Sequence, residues 1–370
     1  MKLAVFCDLL EERWFSMDLL ADMLIEQAAL LPGIDVTRVR PSLPAALARR
    51  STRGTSARER WGYRASIGFG RYVQYPAHAL SHLGKHDFYH VTDHSYAHLA
   101  FELPRARTGV YCHDIDAFRP WVEPGASRPA RVLARTLAAG LARARFVFHS
   151  SEPVRKDLLK HALVREDRLV HAPYGVAREF QPERRAEDAA LDGRAPFVLH
   201  VSSLIPRKNP EFLLALIVEL LRTRAALEFF QVGGTFTPEE RRVLENGGVA
   251  GRVHQIPHLA RPELSAYFRA ARAVVLPSLA EGFGLPVVEA LSCGAPVVVS
   301  DIPVLTQIGA DAVVARPPQD LHAWRDAVLA VVDGEGPPRE RRLAVASRYS
   351  WSAHARTIVD TYAQAPSSAA

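Results

Sequence analysis

The stretch that most limits what this chain can fold into is Ser278 to Gly294, SLAEGFGLPVVEALSCG. A β-branched run, Arg272 to Pro277 (RAVVLP), precedes it, and another, Ala295 to Ser300 (APVVVS), follows it. Both read as buried strands. Between them, Gly284-Leu285-Pro286 predicts a helix start, because proline in the first turn lacks only an N–H that has no helical partner there. Val287, Val288, Ala290 and Leu291 give that helix its apolar face, and Gly294 stops it. The expected unit is strand, glycine-bearing loop, helix, strand.

A helix N-terminus behind such a loop offers unpaired N–H groups and the positive end of the helix dipole, so it attracts phosphate. Gly282 and Gly284 let a ligand approach the backbone closely. Glu281 lies in the loop and Glu289 in the helix. A carboxylate beside an anion is costly unless it faces something else, and vicinal hydroxyls are its natural partner. Two carboxylates flanking an anion site point to sugars on both sides of a diphosphate, that is, to a nucleotide-sugar.

Glu281-Gly-Phe-Gly-Leu-Pro followed by Glu289-Ala resembles the E-x7-E signature of retaining glycosyltransferases of the GT-B fold, family 4 (glycosyl transferases group 1, mannosyltransferase-like). The resemblance implies an α/β chain of GT-B class, two doubly wound Rossmann-like domains facing a cleft. It implies that backbone N–H groups of Gly282, Phe283, Gly284 and Leu285 hold the donor diphosphate. Glu289 would take the ribose diol, and Glu281 the hydroxyls of the transferred sugar.

The rest of the chain alternates strand and helix. Lys2 to Asp8, a helical pattern over Asp18 to Leu31, and Ile34 to Val39 make a βαβ opening. The loop after the first strand, DLLEERWFSMD, has no glycine where the family usually has them; Trp14 and Phe15 are candidates to shape an acceptor pocket. Pro41 to Gly70 reads as a surface loop with a helix after it. Further strands are expected at 88–92, 108–112, 145–149, 169–172, 197–201, 227–232, 253–257 and 313–315.

Tyr111-Cys112-His113-Asp114 ends a strand, where open α/β sheets bind ligands, and looks like the family's His-Asp element, whose histidine lies near the transferred sugar. Pro206-Arg207-Lys208-Asn209 matches part of the family's diphosphate-binding turn, with Ser202-Ser203 in place of the commoner Gly-Arg. Cations there neutralise charge that builds on the leaving group. Ala172-Pro-Tyr-Gly-Val176 resembles a family turn that carries Asn where this chain has Tyr174. The domain expectation is 1–180 for an N-terminal acceptor-side domain, 181–195 for a linker, and 196–350 for a nucleotide-sugar-binding domain. Residues 351–370 would be a helix crossing back to the first domain, and a tail; the terminal PSSAA reads as disordered.

Length and charge bound the rest. A chain of 370 residues has room for two domains, and 48% hydrophobic content suits globular cores. No apolar run is long enough to span a bilayer, and the opening KLAVFCDLLEER turns acidic too soon for a signal peptide. The expected location is cytoplasmic, with peripheral placement on the inner face of the membrane. Cys7, Cys112 and Cys293 are isolated and form neither a disulfide framework nor a zinc motif. Residues 1–182 carry 26 basic and 19 acidic side chains, and 36–85 alone carry ten basic ones against Glu59. That lobe could meet anionic lipid headgroups, a phosphorylated acceptor or nucleic acid, or be a solvated arginine-rich loop. A histidine recurs at every fourth position from His78 to His98, but Gly84 and the strand-like FYHVT break any single helix, so the spacing reads as coincidence.

The function expected is transfer of a hexose, mannose favoured, from a nucleotide-diphosphate donor (a GDP-sugar before a UDP-sugar) to a glycan or lipid-linked acceptor hydroxyl. Retention is implied by the resemblance, as is a role in surface polysaccharide or glycan synthesis. Arg207 and Lys208 would hold the diphosphate, with His113 and Glu281 at the reacting centre. No metal and no cofactor are expected. Two other readings stay open: a GT-B phosphorylase- or epimerase-like enzyme, and a basic nucleic-acid-binding protein, against which the absence of an aromatic-interleaved basic motif counts.

Overall fold

The computed structural model describes residues 1–44, 47 and 57–365, with the backbone alone for Phe15 and for 57–60. Expectations for the rest of the 41–56 loop, for the Phe15 side chain and for the PSSAA tail lie outside the described residues. The chain forms two compact units, Met1–Tyr174 with Trp351–Ala370, and Gly175–Ser350.

Unit 1 is built on β1 (Lys2–Phe6), β2 (Asp35–Val39), β3 (Phe88–Val91), β4 (Thr108–Cys112), β5 (Phe146–His149) and β6 (Leu169–His171), in the order β2-β1-β3-β4-β5-β6. All neighbours pair parallel. Parallel strands need crossover connections, which cover both faces and leave the strands apolar throughout; β4 is buried along its whole length. The final helix, Trp351–Ala363, packs in this unit: Tyr362 is fully buried and its hydroxyl lies 2.9 Å from His90 Nδ1. A Cβ at Gly109 would sit 2.2 Å from that hydroxyl, so β4 requires glycine there.

Unit 2 repeats the plan with β7 (Phe197–Val201), β8 (Glu228–Val232), β9 (Val253–Ile256), β10 (Ala273–Leu276), β11 (Val297–Ser300) and β12 (Val314–Arg316), ordered β12-β11-β10-β7-β8-β9. The direction of winding reverses between β1 and β3 in unit 1 and between β7 and β10 in unit 2. Open α/β sheets take ligands at such reversals, beyond the carboxyl ends of the strands.

The boundary differs from the expected one. Residues 181–195 are no free linker: Ala186–Leu191 form a helical turn in unit 2, and Asp188 is buried against Arg269 of the helix Arg261–Ala270. An ion pair that hidden holds a polar segment which composition alone makes look loose. The histidine repeat crosses several elements, with His90 in β3, yet three of its members do meet. His82 Nε2 lies 3.4 Å from His78 Nε2, and His82 Nδ1 lies 3.4 Å from His86 Nε2. Among the described residues, no helix is long and apolar enough to cross a membrane.

Candidate functional site

The unit 2 reversal is formed by the loops after β7 and β10. After β7 the chain makes a short turn, Pro206–Lys208, and Asn209 takes the left-handed conformation (φ +60°) before the helix Pro210–Thr223 begins. Asparagine tolerates that geometry better than most residues. Its side chain has a second task, since Nδ2 donates to Pro277 O at 3.1 Å and Pro318 O at 3.2 Å. The Arg207 carbonyl accepts from Leu279 N at 2.8 Å. The two loops are therefore clasped backbone to backbone before any side-chain charge is considered.

Within that clasp Lys208 Nζ donates to Glu281 Oε1 at 2.5 Å, and Ser278 Oγ donates to the same oxygen at 2.8 Å. The side chains of Lys208 and Glu281 are 13% and 5% exposed. A buried cation needs a counter-charge, and in the free site Glu281 supplies it. Arg207, the residue before Lys208, is half-buried. Thus Lys208, expected on the diphosphate, and Glu281, expected on the transferred sugar, are brought together.

Gly284 precedes the helix Leu285–Ser292 at φ +99°, and a Cβ there would lie 2.7 Å from Leu305 Cδ2. Glycine is required twice over, by conformation and by space. Pro286 has no N–H and Val287 N donates to Gly284 O at 2.9 Å, so Leu285 offers the N–H at this helix start that has no intrahelical acceptor. Gly282 is half-buried, while Phe283 is turned inward, its ring 5.6 Å from Tyr349. Phe283 thus anchors the loop with its side chain. Glu289, on the same helix, is buried; desolvation pushes its carboxyl up to about 7, and the Arg261 charge pulls the other way.

In unit 1, His113 follows β4 and is buried. Its Nε2 lies 2.8 Å from the Thr92 carbonyl, which only accepts, so Nε2 carries the proton. Its Nδ1 is bonded to the Tyr174 hydroxyl, which therefore donates. Burial lowers the His113 pKa, consistent with a neutral ring held on both sides. The His113 backbone N–H donates to His94 Nδ1 at 3.3 Å, and His94 Nε2 lies 3.5 Å from Asp114 Oδ1. Burial pushes His94 down, but the hydrogen bond to Asp114 and the charge of Asp93 outweigh it and raise its pKa.

Asp93, His94 and His113 bring ligand-type atoms within 4.8 Å of one another. Their lone pairs and protons are already committed to Ser95 N, Asp114, Tyr174 and Thr92 O. That donor set fits a closed hydrogen-bond network better than a cation.

Residues 182–348 match the family described as glycosyl transferases group 1. This stretch is a glycosyl transferases group 1 domain. The chain is 28% identical over 282 residues to the O-antigen chain mannosyltransferase B of Escherichia coli, covering 72% of each chain. It is 30% identical over 228 residues to the D-inositol 3-phosphate glycosyltransferase of Paenarthrobacter aurescens (strain TC1), covering 57% of this chain and 55% of that one. Among solved structures, Anabaena HepE in complex with UDP and glucose superposes with a TM-score of 0.74 at 15% identity, covering 98% of this chain and 99% of that one. Sucrose-phosphate synthase from Thermosynechococcus elongatus gives 0.74 at 18% identity, covering 98% of both chains. At that identity the likeness speaks for the fold, which is GT-B.

Several residues of the candidate site carry no signal of their own in the sequence. Ser278 is one serine among many until Glu281 is seen to accept from it. Gln231, whose Nε2 donates to Ser202 O at 2.8 Å and whose Oε1 lies 2.5 Å from His200 Nδ1, steadies the loop after β7 from inside β8. Tyr174 stood out only as a departure from the family turn; its bond to His113 gives that departure a function.

Proposed function

We propose that the chain transfers a hexose, with mannose the first choice, from a nucleotide-diphosphate donor to an acceptor hydroxyl with retention at the anomeric carbon. The observation that carries this reading is the Lys208–Glu281 pair at the reversal between β7 and β10, with Glu289 on the helix that follows. A diphosphate entering there would draw Lys208 and Arg207 and receive N–H groups from Gly282 to Leu285. Glu281, relieved of Lys208, would then accept from hydroxyls of the sugar, and Glu289 from the ribose diol. Two cations and a helix N-terminus supply fixed positive charge where the leaving phosphate becomes more negative. On that basis the donor reaction is proposed to need no metal and no cofactor. His113 is proposed as a neutral, fixed group of the acceptor-side unit. Retention would follow from departure and attack on the same face, with the leaving phosphate accepting the proton of the acceptor hydroxyl.

Mannose, and hence a GDP-sugar ahead of a UDP-sugar, is supported by the relative named a mannosyltransferase of O-antigen chains; UDP is the nucleotide bound in the HepE structure. The same relative supports a surface-glycan acceptor. A cytoplasmic enzyme touching the anionic inner face of the membrane through residues 36–85 suits such an acceptor, and the exposed Trp61, Phe69 and Val73 beside Arg64 favour it.

The test is thermal unfolding of the wild type and of Glu289→Ala against GDP-, UDP-, ADP- and dTDP-sugars. A donor at a hundred times its dissociation constant adds about 2.7 kcal/mol. One nucleotide class should stabilise the wild type and lose its effect in the variant. Equal silence from all four in the wild type would sink the reading.

A further inference from the structure

The donor loops use only one end of the unit 2 sheet. At the opposite end, before the first residues of β10 and β11, lies a cavity of about 340 Å³. Four of its lining residues are arginines, Arg269, Arg272, Arg339 and Arg342, and its one acid is Glu335. Arg269 is neutralised by Asp188. The other three have no carboxylate within ion-pair distance among the described residues. Arg339 Nη2 donates to Pro182 O at 3.0 Å and Arg342 Nη1 to Pro337 O at 2.9 Å, so carbonyls hold their forks, and Glu340 offsets the Arg342 charge only from beyond ion-pair distance.

Three further observations show how tightly this charge is gathered. Arg342 Nε is buried with no hydrogen-bond partner. Burial, together with the neighbouring Arg339 charge, holds the Arg342 guanidinium below its ordinary value. Gly294 (φ +77°) makes room for the arrangement, since a Cβ there would lie 2.9 Å from Arg339 Nε. A buried N–H donor left empty costs about 1–3 kcal/mol, and clustered guanidiniums repel. Planar forks of that kind match phosphate oxygens two at a time.

We propose that this cavity is a second anion site, built for a small phosphorylated ligand carrying two or more negative charges. Its volume lies at the low end of small-molecule sites, which suits a sugar phosphate or pyrophosphate. The four-residue β10 places it about 13 Å from the donor loops along the strand, so one ligand cannot fill both.

Calorimetric titration with inorganic pyrophosphate tests this. The wild type should take up two per chain. Lys208→Ala, which damages the donor site, should keep the site in question. Arg272→Gln/Arg342→Gln should weaken it at least tenfold, and so should Arg272→Glu, a change at an exposed side chain that leaves the core intact. Arg105→Gln/Arg242→Gln removes the same charge elsewhere on the surface and should change neither site. Loss of all pyrophosphate binding in Lys208→Ala would overturn the proposal. So would unweakened binding in the Arg272 variants, or equal weakening by the surface control.

Discussion

Two crevices in this chain occupy equivalent places, one where unit 1 reverses between β1 and β3, the other where unit 2 reverses between β7 and β10. They are filled in opposite ways. In unit 2 the loops grip each other through backbone groups and Asn209, and the charge they carry is a lysine that one carboxylate holds. In unit 1 the glycine-free loop after β1 fills its crevice with its own side chains. Asp8 is buried with Oδ2 unpartnered, and burial with the charge of Asp93 pushes its carboxyl well above the usual range. Glu12 faces Arg71 at 3.5 Å, and Arg71 lies 4.1 Å from the centre of the Tyr96 ring. The sheet order decides where a ligand can bind; the loop residues decide what charge it can have. Unit 2 presents a buried lysine held by one carboxylate, while unit 1 presents buried carboxylates, one with an unpartnered oxygen, beside imidazoles bonded to their neighbours.

The sharpest way to break this comparison is to remove one cation from each crevice. Lys208→Ala should lower kcat/KM by about 100- to 1,000-fold, the usual cost of losing one preorganised group facing transition-state charge. It also strands Glu281, so stability should fall by about 3 kcal/mol. Lys208→Met/Glu281→Gln should recover much of the stability and none of the activity. Arg71→Gln, in unit 1, should lower stability while leaving nucleotide-sugar affinity unchanged. If Arg71→Gln weakened the donor as strongly as Lys208→Ala, the division of charge between the units would be wrong.

Next in size is a backbone effect. Gly284→Ala meets both a disfavoured φ and the Leu305 methyl group, and should cost about 2 kcal/mol in denaturant unfolding. The equivalent loop of unit 1, after β1, has no such dependence, because it contains no glycine. An unchanged midpoint for Gly284→Ala would mean the loop before the Leu285–Ser292 helix relaxes freely.

How far the sequence reveals all this differs between the same two regions. Every strand of unit 2 sits within two residues of its expected place, and β10 and β11, buried along their whole length, are the ones that β-branched runs mark most plainly. The residues proposed for the donor were legible because backbone approach demands glycine and diphosphate demands cations, and both demands leave residue types at fixed spacings. That Lys208 and Glu281 would meet each other was not legible: side chains 73 residues apart meet only through the strand order. In unit 1, the Asp8–Asp93 contact and the Tyr174–His113 bond join separate strand ends and leave no spacing to read. The supposed linker failed for a related reason, since Asp188 looks solvated until Arg269 covers it.

A tenfold effect should distinguish the crevices by pH. Glu289 has a folded pKa of about 7 against an ordinary value of 4.5, because burial disfavours its charge. A raised carboxyl binds its proton more tightly in the folded state, so it favours folding at low pH. That contribution is lost as pH rises from about 4.5 to 7. Donor binding has the opposite sign, because a ribose diol donates to the ionised form. Affinity should rise about tenfold between pH 6 and pH 8, with proton release on binding. Glu289→Gln should flatten that profile. A wild-type profile that is already flat would remove Glu289 from the ribose contact.

The smallest expected effect lies in unit 1. Tyr174→Phe deletes the hydroxyl that donates to His113 Nδ1 and leaves the ring stacking on Tyr111, 5.3 Å between centroids, in place. The stranded Nδ1 should cost about 1 kcal/mol, read as a small shift in the unfolding midpoint. The imidazole must then find a proton donor or gain a proton itself. Its pKa, lowered in the wild type by burial, should stay low, because Asp93 and His94 are unchanged and desolvation dominates. Histidine NMR across pH 5 to 8 would decide it. A neutral ring in both proteins means Tyr174 serves only to orient His113; a ring that titrates in the variant means the hydroxyl had been fixing its protonation state.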